Sequence, residues 1–168
     1  MELLSNVIGT ACLLVFMLLM SSSISSLQQM ETFDLVKRQL KETTDRASSQ
    51  TMSLIVMANS SDAKSLFFYQ SIEIPASVAN YGYSLSLSMT GGIYNIMAKL
   101  DRYNTINVVS SLPFNGTSLG ISFDTRDSIQ VGPGVLTASY LPSGSTNGVI
   151  WCKKVNGAIS LGFGRLKS

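Results

Sequence analysis

The sequence predicts an α+β chain: one long N-terminal α-helix, apolar and then amphipathic, followed by an all-β sandwich-like head domain. Three observations carry this. No charged residue lies between Leu3 and Met30. Apolar positions then recur at alternating spacings of three and four as far as Met57. Beyond Asp62 the periodicity changes to short aromatic and β-branched segments punctuated by Gly, Asn, Pro and Ser. The expected division is residues 1–58 for the helix and residues 59–168 for the head.

The apolar run Leu3 to Met20 has the length that a helix needs to cross a bilayer core. A cleaved signal peptide, a simple anchor and a helix that later becomes part of an assembly core all fit such a run. The acidic Glu2, with no basic residue beside it, departs from the basic n-region of a signal peptide. The Ser21 to Ser26 tract reads either as helix with hydroxyls bonded back to the backbone or as a loosened turn. From Phe33 onward a seam of Phe33, Val36, Leu40, Thr43, Ala47, Gln50, Leu54 and Met57 occupies one helical face. Opposite-sign residues four apart, such as Lys41 and Asp45 or Glu42 and Arg46, mark the solvated face. No Pro interrupts the stretch to Ala58, which as one helix would extend about 80 Å at 1.5 Å per residue.

In the second half the expected strands are 71–74, 83–89, 93–100, 105–112, 119–123, 135–140, 149–155 and 158–163. Tyr83 to Met89 alternates, placing Tyr83, Leu85, Leu87 and Met89 on a core face and the serines opposite. Thr90-Gly91-Gly92 and Asn156-Gly157 are tight hairpin turns. Gly132-Pro133-Gly134 and Pro142 to Ser145 read as loops, and Asp124 to Asp127 as a turn that could alternatively offer oxygens to a calcium ion.

Charged residues make up only 13% of the chain, against 45% apolar, which suits a chain attached to a membrane or packed against copies of itself. Twelve basic and ten acidic residues are dispersed, so no stripe exists for a nucleic-acid partner. The chain has no His, which excludes imidazole-based triads and His metal sites. With no clustered carboxylate pair either, the expectation is a non-enzyme with no cofactor and no metal site. Cys12 and Cys152 read as two small buried hydrophobes that do not pair. The sequons at Asn59 and Asn115 fall in predicted loops and offer N-glycosylation to an exterior-facing head.

A continuous apolar-then-amphipathic helix leading directly into a small β head resembles the archaeal type IV pilin superfamily. The resemblance rests on the run Leu3 to Met20, the seam Phe33 to Met57 and the proline-led segment Ile74 to Leu85. It implies a structural subunit of an extracellular pilus-like filament for adhesion or motility, membrane-anchored before assembly and partnered mainly by itself. The filament core would take Leu3, Leu4, Val7, Ile8, Leu14, Phe16 and Leu18. Phe33, Val36, Leu40, Ala47 and Leu54 would seat the helix on its own head or on a neighbouring subunit. The alternative is a membrane-anchored accessory protein, of stator or minor-pilin type, whose head binds an envelope partner.

Overall fold

A computed structural model describes residues 2–103, 105–115 and 120–167, with side chains described for all of these except residues 2–6 and 115. The element order is α1 (Glu2–Ser60), β1 (Ser65–Ser71), β2 (Tyr83–Thr90), β3 (Ile93–Leu100), β4 (Asn107–Asn115), β5 (Ile121–Phe123), β6 (Gln130–Gly132), β7 (Val135–Ala138), β8 (Tyr140–Pro142), β9 (Gly148–Val155) and β10 (Ala158–Leu166). The predicted class, a long helix and then antiparallel sheets, is what is found. The chain divides into two compact units, Met1–Val36 and Lys37–Ser168. The first is helix alone. The second combines the rest of α1 with both sheets.

One sheet runs β1-β9-β10-β7-β6, with the short β5 added parallel to β10; the other runs β4-β3-β2-β8. Two hairpins set their registers. Asn156 (φ 50°) and Gly157 (φ 89°) join β9 to β10, and Gly91 and Gly92 (φ 60° and 79°) join β2 to β3. Two successive residues at positive φ give a turn whose twist matches that of the strands.

The larger sheet is apolar on both faces where β9 and β10 cross its centre, as the run Val149, Ile150, Trp151 and Cys152 requires. Ile150, Cys152, Leu161 and Phe163 share one face. On the other lies Trp151, whose indole N–H donates to the Phe163 carbonyl at 3.0 Å. Gly162 and Gly164 sit beneath this ring. A Cβ on Gly162 would stand 2.6 Å from Trp151 Cζ2 and 2.8 Å from the Asp124 carbonyl oxygen. Val135 and Val149 complete the cluster, with Phe67, Val131 and Leu166 around it. The Phe67 ring of β1 lies directly on Gly132 of β6, so the two ends of this sheet close over Trp151.

In the smaller sheet Tyr83, Leu85, Ile96, Ala98, Leu100 and Leu141 are all fully buried. The predicted alternation of β2 holds at its base and fades toward the hairpin tip, where Met89 is 64% exposed instead of buried. Residues 71–74 are not the first strand; β1 ends at Ser71 and Pro75 follows in the next loop. The predicted strand 135–140 is two strands in different sheets, broken at Ser139. β6 was not expected at all.

Because the space over β10 is filled by indole and backbone, Gly162→Ala should lower the stability of the folded head by about 1–3 kcal/mol. Denaturant unfolding followed by fluorescence checks this, since Trp151 is the only tryptophan.

Candidate assembly surfaces

Within the first unit nearly every large apolar side chain from Val7 to Met30 is more than half exposed; Leu14 is at 56%, Phe16 at 61% and Leu18 at 71%. Val7 and Ile8 belong to the same surface. Leu3 and Leu4 lie outside the described side chains. Keeping each such group in water costs on the order of 1 kcal/mol or more. The run together therefore costs on the order of 10 kcal/mol, comparable with the whole stability of a typical domain. By length and composition this helix can cross a membrane.

The serine tract does not interrupt that surface. Ser23 donates to the Leu19 carbonyl at 2.9 Å and Ser26 to the Ser22 carbonyl at 3.0 Å, and Thr32 treats Gln28 in the same way at 2.8 Å. The segment is helix, with these hydroxyls satisfied inside it, which suits an apolar surrounding. Cys12 is exposed on this helix and not buried as expected, and both cysteines are free thiols.

Of the predicted seam, Val36, Leu40, Ala47 and Leu54 are buried and Phe33 is half-buried. The seam departs from prediction at its end. Met57 is 55% exposed and Ala58 is buried, because a period of 3.6 carries a seven-residue repeat around the helix. Leu40, Thr44, Ala47, Thr51, Leu54 and Ala58 form the observed stripe in the second unit. Thr44 and Thr51 enter it because their hydroxyls donate to the Leu40 and Ala47 carbonyls at 2.9 and 2.8 Å.

Polar contacts fix this half of α1 within its unit. Ser110 of β4 donates to Asp45 Oδ1 at 2.8 Å, and Lys41 holds the same oxygen at 2.6 Å. The Glu42–Arg46 pair is looser, at 3.8 Å. At the C-terminal end no basic residue occupies the last turn. Lys154 of β9 takes that place, its ammonium donating to the Ala58 carbonyl at 2.9 Å and the Ser61 carbonyl at 2.7 Å. Those carbonyls lack helical partners and carry the negative end of the helix dipole. Sequence reading missed Lys154 because a strand residue this far along the chain gives no local signal of a cap.

The Tyr83 hydroxyl is buried without a partner in bonding geometry. Burial pushes its pKa up to about 12, against a small opposing effect of the nearby Thr43 hydroxyl. A cleft of about 230 Å³ lies between Gln39, Glu42, Thr43 and Arg46 of the helix and Glu73 to Val78 of the following loop. Asp124 is occupied by Arg126, whose backbone N–H, Nε and terminal nitrogen donate to it at 3.0, 2.9 and 2.6 Å; the segment is the irregular connection between β5 and β6. No cluster of three or more His, Cys, Asp or Glu suited to a metal ion occurs among the described residues.

Asn59 lies in the last turn of α1 and not in a loop, although it is exposed. The second predicted sequon, at Asn115, lies outside the described side chains. Comparison with protein-family models, with curated proteins and with solved structures finds no match.

Three outcomes follow from these contacts. Lys154→Met should destabilise the head by roughly 1–2 kcal/mol, through loss of two charge-assisted bonds at the helix end; hydrogen exchange of the amides around Ala58 should accelerate. Lys41 and then Ser110 hold Asp45 below its ordinary 3.8, and Arg126 does the same for Asp124. A carboxyl with a depressed folded pKa stabilises the fold above its unfolded value, and that contribution is lost as pH falls through the folded one. The unfolding midpoint should therefore be flat near neutrality and decline below about pH 4, with a shallower decline in Asp124→Asn. Burial raises the Cys152 thiol to about 12. A maleimide at pH 8 should modify Cys152 only after unfolding, as mass spectrometry of labelled peptides would reveal.

Proposed function

We propose that this chain is a structural subunit that assembles with copies of itself into an extracellular filament of type IV pilus kind, anchored in a membrane beforehand. The observation that carries this reading is the continuity of α1. A single helix presents an exposed apolar surface from Val7 to Met30, and its later half buries one face in the unit that holds the sheets. Passing from lipid into a bundle of like helices costs such a surface little, since both surroundings are apolar and all its backbone groups are bonded internally. Gly9 and Ala11 are small enough to let neighbouring helices approach closely. A head-to-tail contact between copies that does not close yields an open helical filament.

The head supports a structural role more than a chemical one. Its charged side chains are dispersed over strands, turns and helix faces, and its serines are scattered over strands and loops. The same helix would also serve a membrane-anchored accessory protein, where lipid alone covers it.

Electron microscopy of material sheared from cells, with mass spectrometry of the subunit, separates the two. The filament reading expects uniform filaments containing this chain, and their loss in Leu14→Asp, a substitution at an exposed site that leaves the head untouched. Normal filaments from Leu14→Asp would overturn the bundled-helix assembly. A chain that stays with membranes and enters no filament would establish the accessory role.

A further inference from the structure

We infer that Asn59 is an N-glycan acceptor open only before the head folds: the folded end of α1 tolerates a sugar there but does not admit one. The inference concerns the second unit alone and does not depend on the filament reading.

Asn59-Ser60-Ser61 is an Asn-X-Ser sequon. An oligosaccharyltransferase that reads it must hold the Asn59 amide and the Ser61 hydroxyl together, since those two groups define the motif. Transfer joins Asn59 Nδ2 to the anomeric carbon of a lipid-pyrophosphate-linked oligosaccharide. The bond from that carbon to the pyrophosphate breaks, the lipid pyrophosphate leaves, and one amide proton passes to a base of the enzyme.

In the folded chain Asn59 is helical, because α1 runs to Ser60. Side chains two apart on a helix do not face each other. The Ser61 hydroxyl is also engaged, accepting from the Ala63 N–H at 3.3 Å, and the Ser60 hydroxyl donates back to the Met57 carbonyl at 3.1 Å. Lys154 of β9 then clasps the segment on both sides of Asn59, through the Ala58 carbonyl at 2.9 Å and the Ser61 carbonyl at 2.7 Å. Beyond it the Asn156 N–H donates to the Lys64 carbonyl at 2.8 Å, so the exit from the helix is tied to the β9 end as well. Bringing the amide and the hydroxyl together requires the last turn to unwind, and unwinding breaks the Lys154 bonds.

Holding a sugar is a different matter. Asn59 is exposed, so a glycan on it points to solvent. Val56, three residues earlier and hence its neighbour on the helix surface, is 60% exposed. A glycan would shield that apolar side chain. The limit is therefore order and not space: attachment precedes closure by Lys154.

Cell-free synthesis of the full chain into detergent micelles tests this. A purified oligosaccharyltransferase that reads the three-residue sequon alone, with its lipid-linked donor, is present either during synthesis or only after folding. Peptide mass spectrometry reads Asn59 separately from Asn115. Asn59 should be modified in the early reaction and about ten-fold less in the late one. Lys154→Met should raise the late modification by roughly ten-fold, through loss of two charge-assisted bonds. Gly162→Ala weakens the head away from this segment and should not. No glycan at Asn59 in the early reaction, or equal glycan in both, would overturn the inference. An equal gain from Gly162→Ala would overturn the assignment of the closure to Lys154.

Discussion

The burial of one helical face in the second unit is the interaction on which the rest depends. Leu40, Ala47, Leu54 and Ala58 form a stripe in which small and hydroxylated residues alternate with leucines. Their burial in the second unit is what makes this face effective, since close packing favours interior burial. The threonines in the stripe would be costly if their hydroxyls were unpaired, and donation to the preceding turn removes the cost. Asp45 and Ser110 fix the helix along β4, and Lys154 fixes its end from β9. The two sheets are thus referred to one rod, and each would lose its partner surface without it.

The larger sheet solves a second problem separately. Trp151 is too large to lie between ordinary side chains of neighbouring strands, and β10 makes room by carrying glycine at 162 and 164. The indole then covers backbone, and its N–H finds the Phe163 carbonyl, as a buried tryptophan requires. Phe67 and Gly132 repeat the arrangement at the seam where the sheet closes. Large ring against bare backbone is one packing rule used twice, and it explains why glycine occurs inside strands that would otherwise be weakened by it.

Much of this was legible in the sequence, and the failures share a cause. The helix, its seam as far as Leu54 and both tight hairpins follow from local periodicity and from Asn-Gly and Gly-Gly pairs. β1 was misplaced because Leu66, Phe67 and Phe68 are all half-buried, which erases the alternation that marks a strand. β6 is three residues ending in glycine and has no pattern to detect. The break at Ser139 sends two neighbouring segments into different sheets, an event decided by tertiary packing and invisible to a period of two. For the same reason Lys154 and Ser110 looked like ordinary strand residues: their roles depend on a partner in the helix more than sixty residues away.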